Sequence, residues 1–300
     1  MTANEESRII IADTAEVKGM KTGLVLEGGG MRGMYTAGVL DVFLEQGISA
    51  DCIVGVSAGA LFGVNYLSGQ NGRAIRYSSR FNPDKNYMGL LPFLREGNIV
   101  STQYAYEEVP RRLDPFDDEA FCRSGVPFYA VVTDAGTGEP AYLRVESVFR
   151  QMDVLRASGS MPLVSRPVVI GGRAYLDGGI SDSIPFRWLR GQGCEKEIVI
   201  LTRDETYRKR PMAAAPAVKL LLRRYPAVAG RLARRHLAYN SAVRILGEWE
   251  KDGRAFVIRP SEPIGIGRTE RDPGRLRAVY ELGRKDALAR LAALKEYLKK

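Results

Sequence analysis

The chain carries a single histidine, His236, in 300 residues. That count excludes an HExxH zinc site and any other multi-histidine metal cluster. A Ser-His-Asp triad would have to use His236 or not exist. Cysteine is nearly as scarce. Cys52, Cys122 and Cys194 are odd in number, far apart and without a CxxC spacing. They read as reduced thiols in a cytosolic protein, with Cys52 in the core. No apolar run approaches the roughly 18 uncharged residues that a membrane-spanning helix needs. The N-terminal stretch Met1–Lys21 is polar and includes Glu5, Glu6 and Asp13, the wrong chemistry for a secretory signal peptide. Internal repeats and low-complexity tracts are also missing.

What is present is an ordinary globular composition, 45% hydrophobic and 26% charged, which excludes disordered and fibrous classes. The length suits one large α/β domain or two small ones. The net charge of +9 is concentrated rather than spread. Between Arg208 and Arg244 there are ten Lys or Arg residues and no Asp or Glu. Two readings of this segment stay open. It is a solvated helical face, or a surface for anionic lipid headgroups, since Leu220, Leu221, Leu222, Tyr225 and Leu232 interleave with the charges. No nucleic-acid-binding motif accompanies it, so no nucleic-acid partner is expected.

The chain is organised around Val54–Ala60. Gly55-x-Ser57-x-Gly59 has the form of a nucleophile elbow, a sharp strand-to-helix turn that lifts a serine hydroxyl clear of the backbone. A short β-branched run, Cys52–Val56, precedes it as a buried strand should, and small then apolar residues follow as a helix. Upstream, the strand Gly23–Glu27 enters Gly28-Gly29-Gly30-Met31-Arg32-Gly33, and a helix runs from Met34 toward Gly47.

Gly28-x-Gly30-x-x-Gly33 also satisfies the dinucleotide fingerprint. That reading needs an acid at the far end of the next strand. Here Asp51 stands at its start and the serine elbow at its end, so the fingerprint fails at its second checkpoint. The competing reading makes Gly28, Gly29, Gly30, Arg32 and Gly33 an oxyanion hole. Attack on an ester carbonyl puts negative charge on oxygen, which preorganised backbone N–H groups and a helix N-terminus stabilise. Arg32 either favours a phosphate-bearing substrate or pins the loop through a buried carboxylate.

A serine hydroxyl needs a base. His236 sits between Arg235 and Leu237 in a cationic run, and its basic neighbours Arg234 and Arg235 disfavour the imidazolium that a general base must form. Asp177 is the better candidate. It leaves a strand into Gly178-Gly179, a turn able to aim a carboxylate into a cleft.

Taken together, the Gly28–Gly33 loop, Gly55-Val56-Ser57-Ala58-Gly59 and Asp177-Gly178-Gly179, in that order, resemble the patatin-like phospholipases. The small-residue segment Ala157-Ser158-Gly159-Ser160-Met161-Pro162 is similar to the one that precedes that family's aspartate. The resemblance covers roughly residues 22–203. It implies an α/β fold, three-layer α/β/α with a mainly parallel central sheet, and a serine acyl hydrolase with Ser57 as nucleophile and Asp177 as base. The implied activity is that of a phospholipase A, lysophospholipase or carboxylesterase, acting on a lipid or ester substrate with no metal or cofactor. Residues 204–300 read as a basic, mostly helical extension packed on that domain. The expected location is cytoplasmic, with Arg208–Arg244 able to touch the inner membrane surface. The alternative is a peripheral anionic-lipid-binding protein whose hydrolase site is vestigial.

The remaining elements follow from pattern. Residues 71–125, broken by Pro83, Pro92, Pro110 and Pro115, read either as a cap over the site or as irregular helices on the sheet edge. Asp114, Asp117, Asp118 and Glu119 read as a solvated helix start rather than a metal site. Strands are expected at 128–133 and 141–145, a helix at 148–157, and a two-residue hairpin joining 167–170 to 173–176. A buried strand at 197–202, a short strand at 255–258 and an amphipathic helix from about Pro273 to Leu298 complete the expected chain.

Overall fold

A computed structural model describes residues 20–299. Residues 1–19, on which most of the signal-peptide argument rests, lie outside the described residues, as does Lys300. Two βα units open the fold: β1 (Lys21–Leu26), α1 (Met34–Glu45), β2 (Cys52–Val56) and α2 (Ala58–Leu67). Four more helical pieces follow, α3 (Arg73–Phe81), α4 (Leu90–Glu96), a π-helical segment at Tyr104–Leu113 and α5 (Asp118–Arg123). The chain then makes the antiparallel pair β3 (Phe128–Asp134) and β4 (Pro140–Val145), followed by α6 (Met152–Ser158). The hairpin of β5 (Val168–Ile170) and β6 (Arg173–Asp177) turns on Gly171 and Gly172 at φ 55° and 77°, the double positive φ of a tight hairpin. The rest comprises α7 (Phe186–Gly191), β7 (Cys194–Ile200), α8 (Ala215–Leu221), α9 (Pro226–Lys251), β8 (Ala255–Ile258) and α10 (Pro273–Lys299).

The eight strands form one sheet in the order β5-β6-β3-β2-β1-β7-β8, with β4 added beside β3. From β3 to β8 the pairing is parallel, as short β-branched strands joined through helices require. Alternation along each strand feeds two cores. Leu24, Leu26, Ile53, Ile198 and Ile200 face a layer containing α1, α2 and α10. Val25, Val54, Val56 and Val199 face the other layer, with Leu189 of α7 and Tyr239 and Leu246 of α9. The molecule is therefore a three-layer α/β/α sandwich whose central sheet is mostly parallel.

The segment after residue 204 supplies both layers and an edge strand. β8 pairs parallel to β7, α9 covers one face, and α10 crosses α1 on the other. The α1–α10 crossing is close because both helices present glycine. A Cβ on Gly38 would lie 2.1 Å from the Tyr280 carbonyl oxygen, and one on Gly283 would lie 2.1 Å from that of Tyr35.

Two local expectations need correction. The helix expected from residue 148 begins at Met152. Upstream N–H groups are taken by side chains, Val148 N–H by Asp118 Oδ1 at 2.6 Å and Glu146 N–H by Gln151 Oε1 at 2.6 Å, so the chain turns before it coils. The strand expected at 197–202 runs from Cys194 and stops at Ile200. The N–H of Thr202 donates instead to Glu27 Oε2 at 2.6 Å. The acidic group is spent locally: Asp114 pairs with Arg73 and Arg76, Asp117 caps α5, and Asp118 holds Ser147 and Val148. Among the described residues, no set of three His, Cys, Asp or Glu side chains converges as a metal site. Nor is any described helix long and apolar enough to cross a membrane.

Replacing Gly283 with alanine forces α10 off α1. The expected loss is about 1–3 kcal/mol of stability, with Tm lowered by several degrees in a thermal melt.

Candidate active site

The central strand β3 aligns the two candidate catalytic elements. Its Val131 pairs with Val56, the last residue of β2. Its next residue, Val132, pairs with Asp177, the last residue of β6. A strand running up to β3 and another running down to it therefore deliver Ser57 and Asp177 to one point.

Ser57 occupies φ 54° and ψ −120°, a conformation that non-glycine residues avoid and that costs on the order of 1–3 kcal/mol. Fixed contacts hold it there. Its N–H donates to Ser158 Oγ at 2.9 Å, and that hydroxyl donates to the Val131 carbonyl at 2.7 Å. Gly59 lets the elbow press on β1, since a Cβ there would lie 2.3 Å from the Leu26 carbonyl oxygen. Gly55 faces the start of α2, where a Cβ would lie 2.6 Å from the Ala60 backbone.

The Ser57 hydroxyl donates to Asp177 Oδ2 at 2.7 Å. The other carboxylate oxygen accepts the Gly179 N–H at 2.7 Å, so both oxygens are held. The Gly178-Gly179 turn is compact: a Cβ on Gly178 would sit 2.2 Å from the Val131 carbonyl, and one on Gly179 would sit 2.8 Å from Arg235 Nη2. Burial raises the proton affinity of Asp177 above the usual aspartate range; Arg235, the Ser57 hydroxyl and the Gly179 N–H pull partly in the other direction.

The glycine loop lies against the elbow. A Cβ on Gly28 would be 2.7 Å from the Val56 carbonyl and 2.9 Å from Ser57 Cβ. Gly30 has φ 58°, and the Arg268 backbone fills the space where its side chain would be. The Met31 N–H is taken by the Arg268 carbonyl at 3.0 Å. Among the described residues the N–H groups of Gly28, Gly29 and Gly30 meet no acceptor. Gly33 plays a packing part against Ala58 and Phe62. Glu27 anchors the loop base: Thr202 donates to its Oε2 and the Tyr239 hydroxyl to its Oε1 at 2.9 Å. Arg32 is buried beside this loop and forms no ion pair with a carboxylate among the described residues, so pinning through an ion pair is not how it acts. Asp51, at the start of β2, accepts the Thr22 N–H at 2.7 Å, far from any role on a ribose.

Two cavities meet at Ser57, Gly30, Met161 and Arg268. The first, about 180 Å³, is walled in part by residues 71–125, including Tyr77, Tyr87, Met88 and Val109. Residues of that segment share this cavity with Ser57, Ala58, Leu61 and Phe62. The second, about 200 Å³, holds Asp177, the glycine loop and a set of cations. His236 lines neither cavity, and its Nδ1 is buried without a hydrogen-bond partner among the described residues.

Sequence reasoning missed the cations. Arg203, Lys209, Arg235 and Arg268 line the second cavity with Arg32, although two of them lie in the basic run read as an outer face. The run is divided: Lys209 and Arg235 point inward, while Lys219, Arg223 and Arg224 are exposed. Only the absence of acids from that run hinted that some of its charges serve something other than surface ion pairs. Ser158 reads in the sequence only as part of a small-residue segment, and its strand-to-elbow bridge has no sequence signal.

A family model described as Patatin-like phospholipase matches residues 24–189, and one described as a domain of unknown function matches residues 225–299. The chain is 31% identical over 268 residues to Uncharacterized protein YjjU of Escherichia coli (strain K12), covering 87% of this chain and 74% of that one. It is 28% identical over 184 residues to Neuropathy target esterase sws of Drosophila melanogaster, covering 61% of this chain but only 13% of the esterase. Among solved structures, VipD from Legionella pneumophila aligns with a TM-score of 0.44 and 13% identity, over 92% of this chain and 67% of that one.

Proposed function

Because the chain belongs to the patatin-like phospholipase family, we propose that it is a serine lipid acyl hydrolase working through a Ser57–Asp177 dyad. The observation that carries this reading is the 2.7 Å hydrogen bond from the Ser57 hydroxyl to Asp177 at the junction of the two cavities. In the proposed reaction the Ser57 oxygen attacks an acyl-ester carbonyl while Asp177 accepts the hydroxyl proton. Negative charge develops on the carbonyl oxygen, and the free N–H groups of Gly28, Gly29 and Gly30 suit its stabilisation; one such donor is worth on the order of 3–4 kcal/mol. Collapse releases the alcohol, which takes the proton from Asp177. Water, deprotonated by Asp177, then attacks the acyl-enzyme carbonyl; the acid leaves and Asp177 returns the proton to the Ser57 oxygen.

A carboxylate is a weak base for a hydroxyl, and two features favour it here. Burial makes Asp177 a stronger base than an exposed aspartate. The Gly179 N–H fixes one oxygen so that the other faces Ser57. The cavity walled in part by residues 71–125 suits an acyl chain. No metal or cofactor has a role in this scheme.

The basic segment supports a companion proposal of peripheral contact with anionic membranes. On α8 and just after it, exposed Leu220 and Leu221 stand among exposed Lys219, Arg223 and Arg224. A lipid-binding protein with an inert site is the competing reading. The held Ser57–Asp177 contact favours catalysis.

Ser57→Ala is expected to abolish hydrolysis of medium-chain esters, and Asp177→Asn to lower kcat by about 10²–10⁴-fold. His236→Ala is expected to retain activity, each variant being checked by circular dichroism for folding. Loss in His236→Ala with full activity in Asp177→Asn would restore a triad. The pH dependence has a fixed sign. Burial keeps the proton on Asp177 to higher pH than usual, and the reactive base is the ionised form. The rate should therefore rise with pH along a limb whose midpoint lies above the ordinary aspartate value of about 3.9. A pH–rate profile on an uncharged ester measures it. For the membrane contact, Arg223→Glu with Arg224→Glu should reduce co-sedimentation with phosphatidylglycerol vesicles, and unchanged sedimentation would remove that proposal.

A further inference from the structure

The second cavity has a charge pattern that the hydrolytic dyad does not use. It is lined by five cations, Arg32, Arg203, Lys209, Arg235 and Arg268, against two carboxylates, Glu27 and Asp177. Both carboxylates are already satisfied. Glu27 accepts from Thr202 and Tyr239, and Asp177 accepts from Ser57 and Gly179. The cations are not. Among the described residues none of the five forms an ion pair with a carboxylate. Arg235 reaches only the Ser183 hydroxyl at 3.3 Å, and Arg268 reaches the Met161 sulfur at 3.7 Å. Arg203 lies 4.2 Å from the Tyr207 ring centroid, and Lys209 lies 4.5 Å from that of Tyr239. The Nε atoms of Arg32 and Arg235 are buried without an acceptor among the described residues.

Clustered, partly dehydrated cations repel one another and forfeit hydration, so such a group is costly unless an anion joins it. Four elements converge on this arrangement: the glycine loop, the segment after β7, helix α9, and the loop before α10. Three guanidinium groups and an ammonium beside a fourth guanidinium match the several oxygens of a phosphoryl group far better than one carboxylate.

Resting on the hydrolase reading, we infer that this cavity binds the phosphoryl head group of the acyl substrate, so that the preferred substrate is an acyl ester carrying an anionic phosphate. Ser57 at the junction would then stand between an acyl chain in the first cavity and a phosphate in the cationic one. Burial and mutual repulsion lower the proton affinity of two of these cations. Burial, then Arg203 and Arg268, pushes Arg32 down to about 10. Burial, then Arg235, pushes Lys209 down to about 7. A bound anion reverses both trends.

The test compares kcat/KM for a 1-acyl-glycerol 3-phosphate and the 1-monoacylglycerol of equal chain length, both below their critical micelle concentrations. The phosphate ester should be preferred by about tenfold or more, the worth of one charge-assisted hydrogen bond. In Arg203→Gln and Arg235→Gln that ratio should fall about tenfold, with Lys209→Gln carrying the test if either fails to fold. A ratio near one in the wild type, or one unmoved by all three substitutions, overturns the inference while leaving the hydrolase intact. If neither ester is cleaved in a Ser57-dependent way, the hydrolase reading fails instead. The anion site is then read by calorimetric titration of dodecyl phosphate into Ser57→Ala. Binding weakened about tenfold by Arg235→Gln supports the site, and no binding overturns it. Inorganic phosphate should compete weakly with dodecyl phosphate. Phosphate that binds as tightly as dodecyl phosphate would assign the cluster to a free anion and overturn the head-group reading.

Discussion

Everything at this site depends on two consecutive residues of β3. Val131 ends the pairing with β2 and Val132 begins the pairing with β6, so one strand sets the spacing between Ser57 and Asp177. The Val131 carbonyl also receives the Ser158 hydroxyl, which in turn receives the Ser57 N–H. The same carbonyl leaves no room for a side chain at residue 178. A strained elbow and a buried carboxylate are both unfavourable alone. They persist because a central strand with three partner strands fixes them together, so local strain is borne by the stability of the whole sheet.

The chain after residue 204 contributes side chains and backbone to the candidate site. α9 brings Arg235 beside the Asp177 turn, Tyr239 holds Glu27 under the glycine loop, and the loop before α10 gives its Arg268 backbone to Gly30 and Met31. The glycine-to-glycine crossing of α1 and α10 sits on the helix that follows the glycine loop. The sequence reads as a single domain with a basic, mostly helical extension packed on it. The packing describes one body, with the candidate dyad drawn from its first part and the surrounding charge largely from its second.

How much of this was legible follows from how local each signal is. The elbow, the glycine loop and the Asp-Gly-Gly turn are written in consecutive residues because each is a backbone conformation, and only small residues fit it. Short apolar, β-branched runs followed by helical segments likewise point to a parallel sheet with helices on its faces. The hairpin at Gly171-Gly172 was readable for the same reason. The cationic cavity was not, because Arg203, Lys209, Arg235 and Arg268 are scattered over 66 positions and meet only in the fold. A charged helix also looks alike whether a cation faces water or a cavity. Side chains that displace backbone hydrogen bonds, such as Asp118 and Gln151 before α6, moved the helix start for reasons that periodicity does not carry.

The proposed chemistry stands on Ser57 being a nucleophile made reactive by Asp177 rather than by a histidine. It is tested most directly by the rate at which a fluorophosphonate forms a covalent adduct, with the modified residue located by mass spectrometry. A single adduct is expected on Ser57, formed much more slowly in Asp177→Asn and at an unaltered rate in His236→Ala. An adduct on another residue, or a rate untouched by Asp177→Asn, would contradict it.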